Sequence, residues 1–90
     1  MTRAVEITVT GRVQGVAFRY YAQEQAHRLG VTGWVRNEPD GAVAVHVEGD
    51  DDAVDAMVAW CGEGPSYARV VGVAVRPAEA TGARGFEVLG

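Results

Sequence analysis

The apolar residues of this chain follow two different periods in a definite order, and that order constrains the fold more than any other feature. Val5, Ile7 and Val9 alternate with Glu6, Thr8 and Thr10. A period of two predicts a half-buried strand over about residues 4–11. Phe18, Ala22, Ala26 and Leu29 then recur at spacings of 4, 4 and 3, which puts them on one stripe of a helix over residues 18–29. Gly30 supplies its C-terminal stop. Val31, Trp34 and Val35 mark a second strand over 31–37. In Glu38-Pro39-Asp40-Gly41, Pro39 presets φ at the second position and Gly41 suits the fourth, so a type I turn is expected. Val43, Val45 and Val47 then alternate with Ala44, His46 and Glu48 in a third strand, about 42–48. Asp50, Asp51 and Asp52 open a second helix, where a carboxylate caps free amides and favours the positive end of the dipole. Val54, Met57, Val58 and Cys61 form its apolar stripe, and the Gly62–Pro65 segment ends it. Val71, Val73 and Val75 define a fourth strand over 67–76, and Phe86 and Val88 a short last one.

The order β-α-β-β-α-β plus a short fifth strand predicts an α+β domain of the ferredoxin-like, split βαβ type. Two helices cover one face of an antiparallel sheet. With 90 residues the expectation is one domain over 1–90, leaving no room for a separate cofactor domain. The single cysteine, Cys61, excludes an intrachain disulfide and lies on an apolar stripe, where it reads as core. No apolar run approaches the roughly 20 residues that span a bilayer. Met1-Thr2-Arg3 leads straight into the first strand pattern without a signal peptide, so a cytoplasmic location is expected. No His, Cys, Asp or Glu group has metal-ligand spacing. All eight basic residues are arginine against twelve acidic ones, a net charge of −4. That balance argues against nucleic acid as a partner, because phosphate-backbone binding wants a basic face. His27 and His46 read as surface or edge histidines, and Tyr20 and Tyr21 as flanking the buried face of the first helix.

Between the first strand and the first helix, Gly11 to Ala17 reads as a loop. The first amides of a helix have no intrahelical partner and carry partial positive charge. A glycine-containing loop folded over that end adds donors and makes a concave anion site. Gly15 permits the backbone angles that such a loop needs. Arg19 is the telling residue. It falls in the first helical turn, where a cation is disfavoured, whereas Arg28 sits in the last turn, where a cation is favoured. An arginine beside free amides is explained if an anion joins them, because guanidinium binds phosphate oxygens in a planar, bidentate way. From the residues alone, Arg19 as a solvated arginine and Gly11 and Gly15 as strand terminators remain open.

Gly11-Arg12-Val13-Gln14-Gly15-Val16-Ala17-Phe18-Arg19 resembles the first motif of the acylphosphatase family, G-x-V-Q-G-V-x-F-R, and Gly33-Trp34-Val35-Arg36-Asn37 resembles its second, G-x-V-x-N. Gly41, Val43, Val47-Glu48-Gly49, Trp60-Cys61, Gly64-Pro65, Ala68, Val70, Phe86 and Val88 extend the likeness over nearly the whole chain. The resemblance implies an enzyme that hydrolyses the carboxyl-phosphate bond of acyl phosphates to a carboxylate and inorganic phosphate. It also implies a monomer acting on a small molecule with no metal or organic cofactor. Carried over, Arg19 binds the phosphate, the backbone amides of Gln14, Gly15, Val16, Ala17 and Phe18 form the cradle, and Asn37 positions the attacking water.

Two positions depart from the family pattern. Ala42 stands where many members have a hydroxyl residue, and Glu38 where others have Thr or Leu, adding negative charge near an anionic substrate. Two other classes of function share parts of this pattern. A non-catalytic anion-binding or regulatory module uses the same cradle but does not need the water-orienting Asn37. An RNA-binding sheet wants exposed aromatics on the central strands and a basic surface; the first and third strands carry no aromatics.

Overall fold

A computed structural model describes residues 2–90. The elements are β1 (Thr2–Arg12), α1 (Phe18–Leu29), β2 (Thr32–Asn37), β3 (Val43–Asp50), α2 (Asp51–Glu63), β4 (Arg69–Ala78) and β5 (Phe86–Val88). The sheet order is β4-β1-β3-β2-β5. The β1–β3, β1–β4 and β2–β3 pairs are antiparallel, as expected, whereas β5 joins β2 in parallel and makes the sheet mixed. The alternating apolar residues of β1 and β3 do what their period requires, whereas Val71, Val73 and Val75 of β4 are exposed. Val5, Ile7, Val9, Val35, Val43, Val45 and Val47 form one buried sheet face, and Phe18, Ala22 and Ala26 of α1 with Val54, Met57 and Cys61 of α2 pack onto it. Each large side chain fully withdrawn from water there contributes about 1.5–3 kcal/mol.

Local chemistry sets the element ends. Gly30 terminates α1 in the left-handed conformation, with its N–H donating to Ala26 O. In the β2–β3 connection Gly41 N–H donates to Glu38 O at 3.1 Å, the closing bond of the expected turn. Gly33 is required by close approach: a Cβ on it would lie 1.8 Å from the His46 carbonyl oxygen on β3. Asp50 stands at the N-cap of α2 but its side chain makes no capping bond, so the aspartates act there through the charge of Asp51 and Asp52 in the first turn.

Three expectations need correction. The loop begins later than the sequence suggested, because Gly11 and Arg12 belong to β1. Gly11 lies at a register shift against β4, and a Cβ there would meet the Arg69 carbonyl oxygen at 2.2 Å. Tyr20 and Tyr21 are exposed instead of flanking buried surface. His46 is not a surface histidine; it and Glu48 are each 3% exposed on the sheet face away from the helices. The Ala78–Gly85 stretch crosses that face. Glu48 accepts hydrogen bonds there from the Thr81 hydroxyl, from the Thr81 and Gly82 amides (3.0 and 3.1 Å) and from His46 Nε2 at 2.7 Å. Trp34 stacks on the His46 ring with centroids 5.7 Å apart. Burial alone raises the Glu48 carboxyl, but these donors overturn it and hold it at about 2.

Candidate functional site

Strand direction gathers the candidate residues at one end of the sheet. β1 and β2 both run antiparallel to β3 and so run in the same direction. The C-terminal ends of β1, β2 and β5 therefore share one edge, the usual location of ligand sites where strands deliver their loops. Val43 makes the alignment explicit, since it pairs with Val9 of β1 on one side and Asn37 of β2 on the other. Side-chain alternation then fixes the face. Val35 is buried toward the helices, so Asn37, two residues on, also faces the helix side. The start of α1 lies on that same side.

Residues 14–18 have the backbone of an anion nest. Gly15 has φ 75° and Ala17 φ 60°, while Gln14, Val16 and Phe18 between and beside them keep negative φ. Alternation of the sign of φ turns successive amides toward one side and makes an anion-binding concavity. Ala17 is the one non-glycine residue with positive φ among the described residues. A left-handed alanine costs about 1–2 kcal/mol, a strain of the kind found at ligand sites. As N-cap, Ala17 has no side-chain oxygen to satisfy the helix, and the first turn of α1 contains no acidic residue. The first amide of the helix with a backbone partner is that of Tyr21, donating to Ala17 O at 3.1 Å. Among the described residues the helix amides before it have no backbone partner.

Arg19 is half-buried and donates from Nη1 to the Leu89 carbonyl oxygen just beyond β5, at 3.1 Å. Among the described residues no carboxylate lies within ion-pair distance of it, nor of Arg12, Arg69 and Arg84, whereas Arg3, Arg28, Arg36 and Arg76 are each paired. Its guanidinium is anchored through one nitrogen with its charge uncompensated. Asn37 is half-buried and its side-chain amide makes no hydrogen bond to protein among the described residues. A cleft of about 530 Å³ lies against the nest, lined by Arg12, Gly15, Val16, Ala17, Tyr21 and Tyr67. Cys61 is buried, which pushes its thiol up to about 12 and makes it inert. No three of His, Cys, Asp and Glu come together as a metal site among the described residues.

Two further groups, not expected from the sequence, hydrogen-bond at the candidate site. Leu89 acts through a backbone carbonyl, for which no side-chain signal exists. Gln14 is expected to serve through its backbone amide, yet its side chain also bonds: Nε2 donates to Glu38 O and to Ala42 O, both at 2.8 Å. A lone polar amide between Val13 and Gly15 was the available hint.

Fold and site together define a small ferredoxin-like α+β domain with an anion nest at the carboxyl ends of its strands. The acylphosphatase family model matches residues 5–88, and the chain belongs to the acylphosphatase family. It is similar to an acylphosphatase of Nocardioides sp., 62% identical over 88 residues that cover 98% of this chain and 89% of the relative. Among solved structures it resembles an acylphosphatase from Coxiella burnetii (TM-score 0.94, 33% identity, covering 98% of this chain and 93% of that one). It also resembles the acylphosphatase from Bacillus subtilis (TM-score 0.93, 33% identity, covering 99% of each chain).

Proposed function

We propose that this protein is an acylphosphatase whose nest amides and Arg19 bind the phosphoryl group and whose Asn37 orients the attacking water. The observation that carries the reading is the alternating-φ loop opening on an uncapped helix start, with an uncompensated arginine in the first turn and an unpartnered asparagine on the same face and end of the sheet. The water oxygen attacks phosphorus in line, and the bond from phosphorus to the carboxyl oxygen breaks. The carboxylate leaves with the electron pair, and the water proton passes to a phosphate oxygen. A carboxylate is a good leaving group, so little general-acid help is needed and catalysis rests on positioning and charge stabilisation. An amide has no pKa suited to a general base near neutral pH; Asn37 accepts a hydrogen bond from water and aims it. The amides and Arg19 supply the positive charge that a phosphoryl site requires, and the reading is of a metal- and cofactor-independent enzyme.

The same reading takes a small acyl phosphate as substrate, with no nucleic acid or membrane partner, for a monomeric single-domain protein of the cytoplasm. No helix of the chain is long and apolar enough to cross a membrane among the described residues. The unpartnered Asn37 amide favours catalysis over a purely anion-binding module, which has no use for a group that orients water. Incubation of the purified protein with benzoyl phosphate or acetyl phosphate in the presence of EDTA tests the proposal. Turnover well above the uncatalysed rate is expected, and its absence rejects the enzyme.

A further inference from the structure

We infer that Gln14 is a positioning residue that sets Asn37 against the nest, through its side chain and independently of its backbone amide. The inference rests on the functional reading above. The two halves of the site come from elements that do not touch through regular pairing. The nest follows β1, Asn37 ends β2, and the first residue of β3 stands between them. Residues 13–17 belong to no helix or strand, and no backbone hydrogen bond joins them to the 37–43 hairpin among the described residues. Among the described residues the only hydrogen bonds that cross are the two from Gln14 Nε2, one to each end of the hairpin turn, Glu38 O and Ala42 O. Both protons of one planar group are used, so its orientation is determined by two acceptors at once. Glu38 is the residue directly after Asn37, so the tether reaches the catalytic side chain within one peptide unit.

The two carbonyls do not depend on Gln14 for satisfaction. Glu38 O also accepts from Gly41 N–H at 3.1 Å, and Ala42 O from Glu38 N–H at 2.8 Å. Removing the tether orphans neither oxygen, which keeps the cost to folding small. The turn and the nest each persist by themselves; what is lost is their registration. Misplacement of a water-orienting group by about 1 Å costs on the order of 10²-fold in rate, while phosphate binding through Arg19 and the amides is left alone.

The test compares wild type, Gln14→Met, Asn37→Ala and the double variant. Gln14→Met keeps length and volume and removes both donors. Expected for it are a fall in kcat of about 10- to 100-fold on benzoyl phosphate, inhibition by inorganic phosphate within about threefold of wild type, and a Tm near that of wild type. In the Asn37→Ala background the same substitution should cost little further rate, because it acts through Asn37. An undiminished kcat, a parallel loss of phosphate affinity, or an equal cost in both backgrounds overturns the inference. The side-chain amide resonances of Asn37 give a readout that does not need turnover, and they should shift in Gln14→Met. If they stay in place, the tether does not position Asn37. If wild type hydrolyses nothing while those resonances shift, the functional reading fails and the positional claim stands.

Discussion

Substituting Glu48 by Gln removes a charge from the buried polar cluster without removing volume, and its consequence is a defined change in stability with pH. Glu48 is 3% exposed, and its carboxyl titrates at about 2 in the folded chain against an ordinary 4.5. Burial opposes the charge; the Thr81 hydroxyl, His46 and the Thr81 and Gly82 amides together reverse that. The folded value is the lower one, so between about pH 4.5 and 2 the unfolded chain holds a proton that the folded chain does not. This contribution is fully present above pH 4.5, declines as pH falls, and is gone near pH 2. At about 1.4 kcal/mol per pH unit it amounts to roughly 3 kcal/mol. Urea unfolding of wild type and Glu48→Gln at a series of pH values between about 7 and 2 measures it. The variant should be less stable by up to about 3 kcal/mol at neutral pH, and the two curves should converge as pH falls to about 2. Glu6, lowered by its bond to Arg76, titrates in both proteins and cancels in the difference. Parallel curves across that range would refute the assignment of Glu48 as a charged, donor-saturated group.

Arg19→Ala should lose about 10³-fold or more in kcat/KM, in line with other arginines that stabilise phosphoryl transfer; steady-state kinetics showing wild-type rates would remove Arg19 from the site. Asn37→Ala should collapse kcat while inhibition by inorganic phosphate is largely retained, and a loss of phosphate affinity with kcat kept would make Asn37 a binding residue instead. Gly33→Ala and Gly15→Ala both replace a glycine at positive φ, yet their outcomes should differ. At Gly33 the new Cβ meets backbone at 1.8 Å and must push β2 from β3, whereas at Gly15 nothing lies within 4 Å. Thermal melts should show Gly33→Ala largely unfolded and Gly15→Ala weakened by only about 1–2 kcal/mol, the cost of a left-handed alanine.

Much of this molecule is legible in its sequence because the information is local. Period-two apolar residues, two helical stripes, Gly30 and the Glu38–Gly41 turn each report on residues a few positions away, and they suffice for the element order and for the buried face of β1 and β3, though not for β4, whose Val71, Val73 and Val75 are exposed. Arg19 is legible for the same reason, since a cation in a first helical turn is anomalous wherever the helix goes. Asn37 is not: a polar residue before a turn has an ordinary explanation, and only the family resemblance singled it out. Tertiary structure decided what depends on distant segments. His46 and Glu48 read as an exposed strand face until the Ala78–Gly85 stretch, some 30 residues on, covers them and supplies Thr81 and Gly82 as donors. The parallel placement of β5, and with it the Leu89 carbonyl that anchors Arg19, is likewise a matter of which edge a short strand finds. The Gln14 tether belongs with these, because a side chain's partners 24 and 28 residues away are set by strand order and have no trace in local spacing.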